Sequence, residues 1–342
     1  MNRAYRRRPH AALKWELLTG ACAMALCVSA SGEARAFALS DIGQFSLSAG
    51  GIWDQTQGDG ADWSAEHFVT KAAPGFSGPG ISDFRIIPPV SLDYDAQASF
   101  EPADTAWVFS AAVRYGRSRT AHGSAYKTFP TSPTGGGAAA VQPAAAGANH
   151  GNYSGSVTDN ETHMFADFSV GRDFGIGLWD GNAKSIVSLG ARYVRLSGHG
   201  AINFKTVTKY KTEKGARHIS RGFTGVGPRL SWDGEAPIWR HIGLFIDAGA
   251  DAAMLFGRQS VDVDSAYTAV AGYAHERRKS VIVNNFGGYA ALSWNPWNLG
   301  AKVSIGYRAD LFFHALDGGD AAKHEIDRSF YGPFASIGIQ TR

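Results

Sequence analysis

The sequence predicts an all-β fold: a single antiparallel transmembrane β-barrel of about 12 strands, with about 10 to 14 allowed, and long outer loops. Three observations predict it. Long stretches of strict polar/apolar alternation recur along the chain. Glycine (42 residues) and aromatics (12%) are plentiful while charged residues make up only 18%, which suits many strands with aromatic girdles better than a charged-surface helical enzyme. Both cysteines, Cys22 and Cys27, precede the first alternating stretch, so the rest of the chain has neither thiol nor disulfide and no cysteine chemistry.

The clearest stretch is "AKVSIGYRADLFFHAL", residues 301–316. Its odd positions are Ala301, Val303, Ile305, Tyr307, Ala309, Leu311 and Phe313, and its even positions are Lys302, Ser304, Gly306, Arg308, Asp310, Phe312 and His314. Successive side chains of a strand point to opposite faces. Soluble strands run to about 5 or 6 residues, whereas about 9 to 11 tilted residues cross a bilayer, and this stretch has the longer length.

Taken from the start, residues 1–36 read as a secretory signal peptide. Arg3, Arg6, Arg7 and Arg8 form a positive region, "LLTGACAMALCVSA" is the apolar run, and "ARA" supplies small residues before Phe37. The barrel is then expected over 37–342. The leader's six Lys/Arg and two Glu, taken from totals of 33 and 30, leave 27 and 28 and a net charge of −1. A nucleic-acid partner therefore has no electrostatic support. No run of 18 apolar residues follows the leader, so a transmembrane helix is not expected.

"VSLDYDAQASF" (90–100) and "WVFSAAVRYGRS" (107–118) read as an antiparallel pair joined by the turn Glu101–Asp104. "THMFADFSVGRD", "SIVSLGARYVRL" and "GLFIDAGADAAMLF" repeat the scheme, and weaker strands are expected near 45, 201, 223, 282 and at "FASIGIQ". Pro228 predicts a bulge or edge-like break, because proline cannot donate to the ladder. These make about 11 spans, and bacterial barrels carry even numbers, hence about 12. Long outer loops are expected around 119–161, 206–221 and 259–280, the first low in complexity and the others basic.

Across these strands one face is Val, Leu, Ile, Ala, Tyr and Phe, and the other is Ser, Gly, Asp and Arg. Lipid outside and water inside accounts for both. The expected lumen residues are Arg114, Asp167, Arg192, Asp247, Asp251, Lys302, Arg308 and Asp310, with Asp93 and Asp95 on the same parity. Inside a narrow barrel such charges pair across strands; in a wide one they line a channel and set its ion preference. No G-x-S-x-G or H-E-x-x-H is present. No catalytic residue, cofactor or metal ligand set is expected. His163 and His314 read as interfacial, and the acidic stretches 317–320 and 324–327 read as a turn rather than a calcium loop.

The segments "ETHMFADFSVGRDFGIG", "FTGVGPRLSW", "AAMLFGRQ", "KVSIGYRADLFFHALDGG" and "RSFYGPFASIGI" occur in an order that resembles the Legionella-type major outer membrane protein family. The pieces that carry the resemblance best are Gly306 to Asp310 and Phe330 to Phe334, and it covers roughly residues 90–340. It implies a pore-forming outer-membrane barrel and no catalytic residues. The chain departs from outer-membrane barrels in general by ending "IQTR" rather than on an aromatic residue.

The function expected from sequence is thus passive diffusion of small hydrophilic solutes or ions. The alternatives are a closed structural or adhesive surface barrel acting through its outer loops, and an outer-membrane hydrolase. The expected partners are the lipid bilayer, lipopolysaccharide, the barrel-assembly machinery and small solutes or ions; self-association into a homo-oligomer is compatible with all three readings.

Overall fold

The computed structural model describes residues 42–57, 90–131, 149–175, 183–207, 212–267, 273–296, 300–318 and 325–341. The leader, the segment 58–89 and the low-complexity stretch 132–148 lie outside them.

The alternating stretches form eleven strands: β1 (Gly43–Gln57), β2 (Ser91–Pro102), β3 (Trp107–Arg117), β4 (Ala121–Thr131), β5 (Asn149–Asp173), β6 (Lys184–Val207), β7 (Thr212–Trp239), β8 (Leu244–Tyr267), β9 (Tyr273–Trp294), β10 (Ala301–Asp317) and β11 (Glu325–Gln340). Each pairs antiparallel with its neighbour in sequence except β3, which pairs with β5, and β1 pairs with β11 to close the ring.

The eleven strands fill ten positions. β3 and β4 follow one another along the same edge of β5, β3 against residues 162–172 and β4 against 149–159. The step from Arg117 to Ala121 lies opposite the shorter step from Thr162 to Asp159, which is a bulge of one residue. Ser118 fills it: its backbone N–H donates to Glu161 O (2.8 Å), and its Oγ accepts from Glu161 N–H (2.7 Å). One bulged strand therefore appears as two. Ten positions is the even count a closed antiparallel barrel needs.

The outward face is the apolar one. Leu47, Trp53, Tyr94, Phe109, Phe168, Leu189, Leu230, Ile282, Ile305 and Ile337 are all exposed. Phe45 stacks on Phe100 (4.4 Å) near one edge of this belt, and Trp294 Nε1–H donates to Ile242 O (2.9 Å) there. The opposite edge carries exposed arginines on adjacent cross-strand rows: Arg195, Thr224 and Arg258 lie in one row, and Arg117 and Arg278 in the next.

Two expectations are corrected. The predicted loops 119–161, 206–221 and 259–280 are largely strand: β4 and the start of β5, the end of β6 and start of β7, and the end of β8 and start of β9. Beyond the belt the outer face meets water, so the polar/apolar contrast that signals a membrane strand disappears while pairing continues. Pro228 makes no bulge, and the break expected of a proline is confined to the β7–β8 ladder. Pro228 sits opposite Ala191 within β7, and the β7–β8 ladder skips Gly227 and Pro228 without changing register.

The expected turn after β2 is present, with Asp104 in the left-handed region (φ 58°) and Thr105 N–H donating to Pro102 O (3.3 Å). Gly243 (φ 71°) closes the β7–β8 turn, donating to Arg240 O (3.1 Å).

Candidate functional site

All eight residues expected in the lumen point inward. Six of them form one ion-pair network across the barrel, and Lys302 and Asp247 form a separate pair. Arg192 on β6 holds Asp167 on β5 bidentately, Nε to Oδ1 and Nη2 to Oδ2, both at 2.8 Å. These two residues are direct cross-strand partners. The Nη1 of Arg192 reaches Asp251 on β8 (2.6 Å) and lies 3.8 Å from Asp310 on β10. Arg114 on β3 meets Asp310 at 2.6 Å, and Arg308 on β10 bridges Asp310 (3.2 Å) and Asp95 on β2 (3.6 Å). Lys302 joins Asp247 (2.8 Å) and Glu235 (2.5 Å) nearer the short-turn end.

The alternation places these residues because Arg and Asp share the inward parity of every strand. Several contributors were not anticipated. Arg229 pairs with Asp251 (3.3 Å), Asn285 accepts from Arg192, and Tyr289 donates to Asp233 (3.0 Å). The parity of Ser231 on β7 and Ser293 on β9 would have revealed them, had Pro228 and the glycines around Tyr289 not obscured those strands.

Above this layer the lumen is filled by an apolar one. Phe165, Val194, Leu196, Phe223, Leu255, Val283, Phe312, Leu316, Ile326 and Phe330 form one buried cluster from seven strands. Phe165 on β5 and Phe312 on β10 stack at 5.2 Å. In a ring of ten positions those strands face each other across the full diameter. Phe330 closes against both, at 5.8 and 5.9 Å. A third tie lies beyond, where Arg328 on β11 reaches Glu161 on β5 at 2.6 Å.

Below the ion-pair layer, toward the short turns, lies a polar cavity of about 400 Å³ lined by residues including Ser46, Gln97, Ser110, Asp233, Lys302 and Arg308. Among the described residues the lumen thus holds a polar cavity with an ion-paired layer and an apolar layer stacked above it. Arg192 and Phe312, one in each layer, are both only 1% exposed.

His163 is corrected. It is buried in the lumen, where its Nε2 contacts Asp93 (2.6 Å), rather than lying at the interface. His314 is exposed at a bulge in β10 with φ 58°. The acidic turn is tied down by cations: Asp317 by Arg277, and Glu325 by Lys279 (2.8 Å). On the outer face, Asp262, Ser220, His199 and Asn160 form one row across four strands, with Ser220 Oγ 3.0 Å from His199 Nδ1. Among the described residues nothing orients the far nitrogen of His199.

No family model matches the chain, and no curated protein matches it. Among solved structures, the outer membrane protease OmpT of Escherichia coli aligns over 88% of this chain and 94% of its own at 9% identity and a TM-score of 0.45. Ail, the attachment invasion locus protein of Yersinia pestis, aligns over 88% and 99% at 8% identity and 0.26. The toluene transporter TodX of P. putida aligns over 88% and 90% at 6% identity and 0.22. The chain's own closed ring of antiparallel strands with an apolar outward face defines it as a β-barrel of the outer-membrane type.

Proposed function

We propose that this chain is a closed outer-membrane barrel that acts at the cell surface through the strands projecting above its apolar belt. The observation that carries this is the Phe165–Phe312 stack across the diameter, seated on the ion-pair layer. Free diffusion of hydrophilic solutes, the expectation from sequence, needs a continuous wet path. In this lumen the charges pair across strands at the top of a polar cavity, and an apolar layer fills the space above them. The resemblance to the Legionella-type family is accordingly carried over for the barrel and not for conduction. An enzymatic role is not proposed, since the Ser220–His199 pair lacks an orienting group among the described residues.

The projecting part is substantial. β5 to β9 run 22 to 28 residues, about twice the span that crosses a bilayer. Its inner face buries Val157, Ile202, Ile219, Val261 and Val263, so it is packed structure and not loop. The arginines at the belt's edge suit it to phosphorylated headgroups of the outer leaflet.

Single-channel recording of the refolded protein in a planar bilayer tests the reading. Folded, heat-modifiable protein is expected to stay silent. Discrete conductance steps from the unaltered chain would overturn the closed barrel and restore the diffusion pore.

A further inference from the structure

Next to the phenylalanine layer, three polar side chains meet where a lumen sealed by apolar groups has no evident use for them. Asp54 on β1, Asp93 on β2 and His163 on β5 are 1%, 0% and 2% exposed. Their ligand-type atoms all lie within 4.8 Å of one another. His163 Nε2 is 2.6 Å from Asp93 Oδ2 and 3.6 Å from Asp54 Oδ2.

The strand between them is built to allow this. β3 separates β2 from β5, and its residue in the row of Asp93 and His163 is Gly116. Any Cβ there would collide with the Asp93 carboxylate and the His163 ring. Ser91 Oγ–H donates to Asp93 Oδ1 (3.0 Å), which leaves Oδ2 turned to the histidine. Phe165 and Phe330 hold the imidazole in place, with ring centroids at 5.2 and 4.2 Å.

The cluster as it stands is incomplete. Neither carboxylate oxygen of Asp54 accepts a hydrogen bond from an N–H or hydroxyl group among the described residues. Two carboxyls held this close and this deep repel one another when ionised, a cost that a cation between them would offset. The nearest cation does not serve it: Arg114 is committed to Asp310 at 2.6 Å and lies 4.4 Å over the Phe165 ring.

We infer that Asp54, Asp93 and His163 bind a divalent first-row transition ion of the zinc type, which ties β1 and β2 to β5 across β3. One imidazole nitrogen and two carboxylate oxygens are a donor set zinc accepts. Bonds of about 2.0–2.2 Å in a tetrahedron hold ligand atoms about 3.4 Å apart, a spacing the 2.6 and 3.6 Å contacts straddle. The hydrogen bond from Ser91 is the outer contact that such a carboxylate ligand needs. This inference does not rest on the closed-lumen reading.

The test refolds the full chain with zinc sulfate alone, removes loose metal by dialysis against a weak chelator, and counts the zinc left on heat-modifiable protein. About one ion per folded chain is expected, with loss of at least ~10-fold in the near-isosteric Asp54→Asn and in His163→Gln. Cobalt(II) in the unaltered protein is expected to show the intense visible bands of tetrahedral coordination, a readout that needs no variant. Folded protein that retains no zinc and gives only the weak spectrum of hydrated cobalt would overturn the site, as would folded Asp54→Asn retaining zinc as the unaltered chain does.

Discussion

Arg192 engages four of its five guanidinium N–H groups: two bonds to Asp167, one to Asp251 and one to Asn285. Burying such a charge is tolerable only because it is paired and hydrogen-bonded, and the same pairing makes the group hard to remove. Arg192→Met is expected to cost about 3–5 kcal/mol, because Asp167 and Asp251 are left charged and dry. Urea unfolding in lipid vesicles measures it. The double change Arg192→Met with Asp167→Leu should recover part of the loss; a loss that simply adds would mean the two residues do not act as a pair.

Asp159 differs because it lies above the belt, on the water-facing part of β5. Burial, and then the charge of Glu161, push its carboxyl up to about 6, while Arg221 and Arg328 pull it down. A raised value means the fold keeps the proton longer than the unfolded chain, so this contribution to stability is full below about pH 4 and is lost as pH rises through about 6. Hydrogen exchange of the neighbouring β5 and β6 amides should therefore speed up between pH 4 and 6, after correction for intrinsic rates. Asp159→Asn should abolish that extra dependence, and an unchanged profile would remove Asp159 as its source.

At the scale of the element, legibility followed the solvent. Within the belt, "AKVSIGYRADLFFHAL" sets oil against charge at every step, so strand, face and lumen residues could all be read. Above it, "KTVTKYKTEKGARHISR" looks like a basic loop, yet its described residues end β6 at Val207 and begin β7 at Thr212, paired with each other. The alternation of Ile202, Ile219, Val261 and Val263 inward is present there, but single residues in polar surroundings carry little signal. The bulge at Ser118 was unreadable for another reason: it depends on Glu161, which is distant in sequence. The meeting of Asp54, Asp93 and His163 likewise depends on register alone.

The edge between the two regimes makes its own prediction. Arg117, Arg195, Arg258 and Arg278 project outward where the apolar belt stops, the level of anionic headgroups in the outer leaflet. Each is expected to contribute about 1 kcal/mol of attraction to a phosphorylated lipid surface. Arg195→Glu with Arg258→Glu should therefore erase most of the thermal stabilisation that lipopolysaccharide-containing vesicles give over zwitterionic ones. Equal stabilisation in both lipids for the unaltered protein would remove the girdle's role.

In the closed reading proposed above, the whole molecule is sealed twice, by different physics, and the seals lie in series. The phenylalanine layer excludes water by filling volume, while the ion-pair layer holds its charges against one another across the barrel. Conduction through barriers in series is limited by the tighter one, so breaching either alone should leave the barrel silent. Phe312→Ala removes one side of the diametric stack but leaves Arg192, Asp167, Asp251 and Asp310 in place below it. Arg114→Ala removes one of the cations on Asp310, which keeps Arg308, beneath an intact apolar layer. Only the combination should join the cavity to the outer side and give discrete conductance, with selectivity shifted toward cations, because one positive charge has left the path. If Phe312→Ala alone conducts, the ion pairs are a wet lattice rather than a seal, and the apolar layer by itself closes this barrel.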